Sequence, residues 1–466
     1  MGVRRALATN SVVFLGYAGL SFLYFGIPLA SHPGRAMLGN GQDPQIFVWS
    51  FAWWEHAIAT WTNPLYSHAI YAPDGVNLAW VTSVSGIAAP FAPLTALVGP
   101  VASYNVAALL MPALAAWTAF LLCRYLSGSV WPALVGGYLF GFSPYMIAQL
   151  LGHMHMTAIF LLPLVALATC RYVGGGLTGR GFAWRLGLLL GWQLWISTEV
   201  FFTLSLTLVV SLGLAFVLVP DVRRRIRSGV VYVLGGYGVA AVVGAPLLVY
   251  VVKGFNSQSI NLPKYFDTAL LNFVVPTQLL AMTSGHLNGI SSHFPGGLVE
   301  RDGYIGIPAL VIVAWFAVAR RRSPGARFLL AAFVVAVVAS LGTAVYVKGH
   351  PLFSLPGKWI ARLPLFDNTL PERFSIYTAL AIAVIVALWT RGRSPWYALP
   401  VVSLAVVAIL PAAWNNNYRD LPERWPFFTQ ALYKICIPRG ENVAIFPYGV
   451  DGYSTLWQAE TGFYFN

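Results

Sequence analysis

The sequence contains few charged residues and few cysteines, and each shortage excludes a class of protein. Only 9% of the 466 residues are Asp, Glu, Lys or Arg, whereas 58% are hydrophobic, so most of the chain cannot form an ordinary water-facing surface. The three cysteines lie far apart with no metal-ligand spacing, which excludes a zinc motif and a disulfide framework. The sequence also lacks a nucleotide-binding glycine loop.

Long apolar runs occupy most of the chain instead. They recur over its whole length and are long enough for helices to cross a hydrocarbon core of about 30 Å. We therefore predict an all-α polytopic membrane protein with about eleven spans and with long outer loops that carry interfacial helices. The predicted spans lie near residues 11–30, 102–123, 131–148, 157–172, 185–198, 200–219, 230–252, 304–319, 328–346, 375–390 and 397–414.

One further apolar stretch, residues 84–100, is ambiguous. It contains Pro90, Pro93 and Pro100, each of which removes a helix hydrogen-bond donor. We predict that it dips into the outer interface without crossing, because only then do the Lys and Arg clusters between spans fall on one side. That side holds 16 of the 28 basic residues and a single carboxylate, Asp221. The net charge of +13 therefore reflects membrane topology, and we expect no nucleic-acid partner.

The basic side is expected to be cytoplasmic, in a multi-pass protein of the inner (cytoplasmic) membrane with its N-terminus inside and its C-terminus outside. The outer loops 31–101, 253–303 and 347–374 are long, whereas the inner loops are short connectors. Function is expected on the outer face, because binding residues concentrate on loops held by a rigid scaffold. We divide the chain into a transmembrane domain, 1–414, and a short extracytoplasmic tail, 415–466, whose apolar end is consistent with truncation relative to its relatives.

The first outer loop contains Asp43 immediately before Pro44. Asp followed by Pro is typical of a helix start, so Asp43 is either only an N-cap or a cap that also does chemistry. The helix would run through Trp61 and place Trp49 and Trp53 on the same face, at headgroup depth. Asp43 would then lie beside any substrate carried by a lipid.

These features resemble the GT-C superfamily of polytopic glycosyltransferases. The resemblance rests on an outward aspartate shortly after the first span, a long first outer loop and a scaffold of about eleven spans. The stretch from Ser143-Pro144 to Gly152-His153-Met-His155 is similar to the family's pattern at the exit of a span. Many members carry an acidic residue near this point, where this sequence has two histidines. The resemblance covers roughly residues 1–415.

The resemblance implies a glycosyltransferase that takes a sugar from a polyprenyl-phosphate donor and passes it to a glycan, lipid or protein of the cell envelope. Asp43 would be the general base that takes the proton of the acceptor hydroxyl, and one displacement would invert the anomeric centre. Arg373 suits the leaving phosphate, because its guanidinium fork matches two phosphate oxygens. A divalent cation, Mg²⁺ or Mn²⁺, is a candidate cofactor, with His153 and His155 as candidate ligands.

Other polar residues are candidates for substrate binding. Glu199 lies at the predicted outer junction of two apolar helices, where an unpaired carboxylate is costly and is therefore functional or paired. Glu372 precedes Arg373 and is an alternative partner for it. The candidate substrate-binding residues are Arg373, Glu372, Glu199, His153, His155, Glu55 and His56.

Two alternatives to this interpretation stay open. One is a polytopic transporter or a flippase for lipid-linked glycans, although the paired halves typical of many transporters are not visible as a repeat. The other is a metal-free glycan ligase or polymerase that relies on outward arginines. Membrane lipids are expected partners in every case. The charges of Glu300, Arg301 and Asp302 are explained as well by local ion pairing as by substrate contact.

Overall fold

A computed structural model describes residues 3–41, 43–254, 263–347, 349–363, 366–412, 418–447 and 452–466. Most of the regular structure in these ranges is α-helical. The helices of the first half are α1 Val3–Ser21, α2 Ile27–Ala30, α3 Asp43–Thr60, α4 Ser85–Val98, α5 Pro100–Ser127, α6 Val130–Gly141, α7 Pro144–Gln149, α8 Met154–Thr157, α9 Leu161–Val173, α10 Gly179–Ile196 and α11 Thr198–Leu218. Those of the second half are α12 Arg223–Val243, α13 Ala245–Lys253, α14 Gly285–Ser291, α15 Ile307–Arg320, α16 Pro324–Leu341, α17 Gly357–Ile360, α18 Ser375–Thr390, α19 Pro395–Ala408, α20 Pro426–Thr429, α21 Tyr433–Cys436 and α22 Ser454–Glu460.

Seven helical stretches in the described ranges are long and apolar enough to cross a membrane. They are Leu7–Ala30, Pro100–Ser127, Met154–Val173, Thr198–Leu218, Pro220–Lys253, Pro324–Leu341 and Pro371–Thr390. Three shorter apolar helices are Ser85–Val98, Ile307–Arg320 and Trp396–Ala408. The structure thus confirms an all-α membrane fold, whereas the number of spans and their orientation remain predictions.

The predicted span 131–148 is divided in the structure. Helix α6 ends at Gly141, and the side chain of Ser143 then begins α7 by accepting a hydrogen bond from the amide nitrogen of Met146 (3.4 Å). Pro144 occupies the first position of the new helix, where its missing N–H would have no partner in any case. The chain therefore turns at this end of the bundle, just before the two histidines.

The ambiguous stretch 84–100 is helical despite its prolines. Helix α4 contains Pro90 and Pro93, and Gly99, with φ of +84°, separates it from α5. Its 14 residues extend over about 21 Å at about 1.5 Å per residue, which is less than a hydrocarbon core of about 30 Å. The helix length favours the predicted position at the interface, which stays a prediction.

Helix α5 lies at the centre of the bundle and packs against α1, α6, α9 and α18. Its buried surface is rich in alanine, including Ala107, Ala115 and Ala116. Gly141 of α6 comes so close that an added Cβ would lie 2.5 Å from the amide nitrogen of Ala116. Small residues permit such close packing of membrane helices, which van der Waals contact stabilises. The closely packed α5–α6 pair supports the loops that carry the candidate site.

Helix α3 is buried within the protein. Trp49, Trp53 and Trp54 are buried, α22 packs along the helix, and the indole Nε1 of Trp49 donates to Gln458 Oε1 (2.6 Å). Trp49 and Trp53 are therefore covered by the tail, a contact between distant parts of the sequence that no local pattern indicates. Their depth at the level of the headgroups stays a prediction.

Three two-stranded antiparallel sheets occur in the loops of the described ranges. They pair β1 Met37–Leu38 with β6 Arg419–Asp420, β2 Tyr66–Ser67 with β3 Val76–Asn77, and β4 Ala344–Val347 with β5 His350–Ser354. The β1–β6 pair joins the first outer loop to the start of the tail. Together with α22, this pairing packs the tail onto the segment that carries Asp43.

Candidate active site

Asp43 is the first residue of α3 and lies beside the turn that follows α7. Its carboxylate oxygen Oδ2 is 3.1 Å from His153 Nε2, and its side chain is 48% exposed, against 13% for His153. Gly152 lies next to Asp43, since an added Cβ would be 3.6 Å from the Asp43 Cβ. Two candidate residues from different loops therefore meet, and Asp43 is the one that a substrate can reach.

The sequence left open whether Asp43 is only a helix cap. Among the described residues, the carboxylate of Asp43 contacts His153 and accepts no hydrogen bond from a backbone amide of the first turn. The side chain thus contacts His153 across the site instead of capping its own helix. This geometry favours the chemical role over the cap alone.

The segment that leads into α3 is fixed by the start of α5. Asn105 accepts a hydrogen bond from the amide nitrogen of Leu38 (2.8 Å) and donates one to the carbonyl oxygen of Ala36 (2.7 Å). The amide nitrogen of Asn40 donates to the carbonyl oxygen of Leu151 (2.6 Å). These bonds satisfy backbone groups of a buried irregular segment and tie it to the segment that carries His153.

His153 begins a chain of hydrogen bonds that runs into the protein. Its Nδ1 is 2.7 Å from Gln149 Oε1, Gln149 Nε2 donates to Asp302 Oδ2 (3.1 Å), and Ser375 Oγ donates to Asp302 Oδ1 (2.7 Å). Gln149 and Asp302 are both buried. Sequence reasoning missed this role for both residues, because nothing local distinguishes Gln149 and the charges next to Asp302 suggested ion pairing.

Asp302 is a buried carboxyl group in a loop outside the membrane-spanning segments. Burial raises its pKa to about 7, although the hydrogen bonds from Ser375 and Gln149 oppose the rise. A cavity of about 20 Å³ beside it is lined by Tyr145 and Thr378 among others, enough for roughly one water molecule. The carboxyl group of Asp302 therefore titrates near neutral pH.

The candidates Glu199, Glu372 and Arg373 form one buried cluster. The Arg373 guanidinium contacts the carboxylate of Glu199, and its Nε lies 3.4 Å from Glu372 Oε1. Glu372 is 1% exposed. Buried charges need such partners, since desolvation costs several kcal/mol per ion. The charge of Arg373 is thus met by protein carboxylates, which was the alternative to a phosphate partner.

This cluster is contiguous with the hydrogen-bond chain of His153. Pro371–Phe374 is a 3₁₀ turn that leads directly into α18, whose first residue, Ser375, binds Asp302. Glu372 interacts electrostatically with Asp302, and Arg373 does so with His155. Residues from the first outer loop, the turn after α7, the start of α11 and the start of α18 therefore form one site at one end of the bundle.

His155 lies at the edge of this site. Its ring centroid is 5.7 Å from that of His153 and 5.8 Å from that of Phe47. The segment Met154–Thr157 is a helical turn, and the two histidine rings lie beside each other there. The Nδ1 of His155 is buried without a hydrogen-bond partner in the described part of the chain.

Glu55 and His56 do not join the site. They lie twelve and thirteen residues after Asp43 in α3, which separates them from it by about 18 to 20 Å along the helix axis. The His56 ring packs against Trp53 and Phe463, and burial lowers its pKa. A role for either residue would have to involve a distant part of a long substrate.

The described residues do not form a site suited to Mg²⁺ or Mn²⁺. Within these ranges no three His, Cys, Asp or Glu side chains come together in a group that could hold a metal ion. His153 has both ring nitrogens engaged, by Gln149 and by Asp43, and the His155 ring is buried against Phe47. The predicted histidine pair therefore does not form a metal site in this arrangement of the described residues.

The arrangement of the helices is similar to that of a membrane glycosyltransferase of known structure. The oligosaccharyltransferase of Archaeoglobus fulgidus in its apo form aligns with a TM-score of 0.55 at 14% identity, covering 98% of this chain and 64% of that one. Its structure as AglB with an inhibitory peptide and a dolichol-phosphate aligns with a TM-score of 0.52 at 11% identity over the same shares of both chains. This chain thus corresponds to about two thirds of the enzyme's length.

The chain itself belongs to the family described as "Domain of unknown function (DUF6311)", whose model matches residues 13–414. ArnT from Cupriavidus metallidurans, bound to undecaprenyl phosphate, aligns less well, with a TM-score of 0.43 at 12% identity over 86% of this chain and 62% of that one. No curated protein matches the sequence significantly. The GT-C fold predicted from the sequence is confirmed.

Proposed function

We propose that this protein is a membrane glycosyltransferase that moves a sugar from a polyprenyl-phosphate donor to a glycan, lipid or protein of the cell envelope on the outer face of the membrane. The observation that carries the proposal is the half-exposed carboxylate of Asp43, held by His153 at one end of a bundle with the GT-C fold. The dolichol-phosphate bound to AglB supports a donor of the same lipid-phosphate class.

Asp43 is the general base in this mechanism. His153 contacts Oδ2, and Oδ1 takes the proton of the acceptor hydroxyl. The hydroxyl oxygen attacks the anomeric carbon at the same time. The bond between this carbon and the phosphate oxygen breaks, and its electron pair leaves with the phosphate. A single displacement inverts the anomeric centre. Such a base typically contributes about 10² to 10⁴ in rate.

Arg373 is the proposed partner of the leaving phosphate, although protein carboxylates occupy its guanidinium in this structure. Its guanidinium already contacts Glu199 and lies near Glu372, so a phosphate must replace a carboxylate to reach it. The planar fork of arginine binds carboxylate and phosphate oxygens in the same bidentate way. This exchange of partners would couple donor binding to the start of α18.

The test is mass spectrometry of envelope glycans from a deletion strain carrying wild-type, Asp43→Asn or Asp74→Asn protein. Asp74 is the matched control, because it is an exposed loop aspartate outside the site. We expect a glycan to be lost on deletion and restored by the wild type and by Asp74→Asn, but not by Asp43→Asn. Glycans unchanged by deletion, or restored by Asp43→Asn, would contradict the proposal.

A further inference from the structure

A polar cavity lies between the tail and the start of α5. Its volume is about 330 Å³, within the range of about 300–1,000 Å³ that is typical of ligand pockets. The residues that line it include Gly34, Val101, Arg424, Phe428, Glu460 and Thr461. Since Gly34 belongs to the first outer loop, the cavity lies on the side of the membrane that we predict to be the outer one.

Arg424 and Glu460 form an ion pair in the wall of this cavity. Arg424 Nη2 donates to Glu460 Oε1 (2.5 Å) and to the carbonyl oxygen of Gly34 (2.6 Å), which uses both hydrogens of this nitrogen. Within the described ranges, Nε and Nη1 of Arg424 and Oε2 of Glu460 make no hydrogen bond. The side chains are 29% and 18% exposed, so a ligand can reach these free donors and this free acceptor.

Two threonine hydroxyls in the cavity wall add further acceptors. Thr429 Oγ1 donates to the carbonyl oxygen of Trp425 (3.3 Å), and Thr461 Oγ1 donates to that of Gln458 (3.1 Å). A hydroxyl group has one hydrogen and two acceptor positions, so each threonine can only accept from a ligand while these bonds hold. A matching ligand must therefore bring donors for the threonines as well as acceptors for Arg424.

These groups suit a neutral saccharide better than a phosphate. Each sugar hydroxyl both donates and accepts, so two neighbouring hydroxyls match the free atoms of Arg424 and Glu460. The start of α5 attracts anions, but a phosphate diester would bring only acceptors to Glu460 and the threonines. Phe428, which stacks on Trp457 with ring centroids 4.7 Å apart, adds an aromatic surface for the C–H groups of a sugar ring.

We propose that this cavity binds one neutral sugar ring through Arg424, Glu460 and the hydroxyls of Thr429 and Thr461. The inference deepens the proposed function and rests on it for the role of the bound sugar. Among glycan, lipid and protein acceptors, such a cavity indicates a glycan. The tail holds one ring of this acceptor, while the reacting hydroxyl of another ring lies at Asp43.

The test is saturation-transfer-difference NMR on full-length protein in nanodiscs, with the methyl glycosides of glucose, galactose, mannose and N-acetylglucosamine as probes. We expect the wild type to bind at least one of them. The double variant Thr429→Val/Thr461→Val keeps the side-chain shapes and the ion pair, and its Kd should rise by at least about fivefold, the effect of one neutral hydrogen bond. Thr62→Val, an exposed position just after α3, is the control. No binding of any probe, or an equal Kd in the double variant, would overturn the proposal.

Glu460→Gln separates a saccharide site from an anion site. Losing the charged acceptor should weaken glycoside binding by about tenfold, whereas an anion should bind more tightly without the carboxylate. Inorganic phosphate that displaces the glycoside and binds more tightly to Glu460→Gln would overturn the proposal. The measurements need no donor and no turnover. A protein that binds glycosides but transfers no sugar would contradict the proposed function alone, and one that transfers sugar but binds none of the probes would contradict this proposal alone.

Discussion

The carboxylate of Asp43 and the imidazole of His153 lie 3.1 Å apart, although one begins α3 and the other follows α7. The backbone bond between Asn40 and Leu151 (2.6 Å) aligns the two segments just beside this contact. The backbone of the two segments therefore positions the side chains of Asp43 and His153 beside each other. Asp43 and His153 can therefore be replaced separately to test the contact between them.

Replacing His153 should weaken catalysis without removing the base. In His153→Phe, Asp43 loses its partner and its fixed position, and a misplacement of about 1 Å can cost about 10² in rate. His153→Gln keeps a donor that can reach Asp43 and should lose less. The measurement is kcat for both variants, with the melting temperature as the check on folding. Equal rates for wild type and His153→Phe would show that the contact has no catalytic role.

Substitutions in the buried cluster of Glu199, Glu372 and Arg373 should lower the free energy of unfolding by unequal amounts. Removing one partner of a buried ion pair costs about 3–5 kcal/mol, because the other charge is left unpaired. Arg373→Met strands both Glu199 and Glu372 and should cost this much in the free energy of unfolding. Glu199→Gln leaves Glu372 near the guanidinium and should cost less, and the double variant should recover part of the loss. Chemical unfolding in detergent measures the free energy of unfolding of all three variants. Equal losses in Arg373→Met and Glu199→Gln would contradict the idea that Glu199 and Glu372 share one guanidinium.

Arg373→Lys tests the phosphate role. Lysine keeps the charge but lacks the fork that binds two oxygens at once. We expect the donor KM to rise by about tenfold, the effect of losing one charged hydrogen bond of about 1.4 kcal/mol, while the protein still folds. An unchanged donor KM would remove Arg373 from the substrate site and leave it a structural role at the start of α18.

Asp302 predicts a pH dependence of stability. Burial raises its pKa in the folded protein to about 7, whereas in the unfolded chain it titrates near about 3.9. The folded state therefore binds the extra proton between these values, and the stability that this gives is lost as pH rises through about 7. Raising the pH from about 5 to about 8 should lower the melting temperature of the wild type more than that of Asp302→Asn. The control, Asp74→Asn, should behave as the wild type, and parallel curves for wild type and Asp302→Asn would contradict the assignment.

The fold was largely predictable because the bilayer imposes a simple rule on sequence. Apolar runs of spanning length must be helical to satisfy their backbone, and nearly every predicted span coincides with a helix. One departure is 131–148, where Ser143-Pro144 starts a new helix. That signal was present in the sequence, since Ser followed by Pro is a typical helix start.

The site was predictable only in part. Asp43 and His153 were proposed from a helix start and from the family resemblance, Glu199 from the cost of an unpaired carboxylate between apolar helices, and Arg373, with Glu372 beside it, from its fit to a phosphate. The contacts among these residues were not predicted, since they depend on how distant loops fold onto each other. Gln149 carries no charge and directly follows the predicted span 131–148, so only the three-dimensional contacts of its amide reveal it.

In the proposed mechanism, Asp43 accepts a proton during glycosyl transfer from a lipid phosphate. The most direct test is release of free polyprenyl phosphate by purified protein in proteoliposomes, supplied with lipid-linked sugars and envelope acceptors extracted from the host membrane. Asp43→Asn keeps the size and polarity of the side chain but is not a base at neutral pH, so we predict that release falls by about 10² to 10⁴ with an unchanged melting temperature, while Asp74→Asn stays active. Near-wild-type release by Asp43→Asn would contradict the claim.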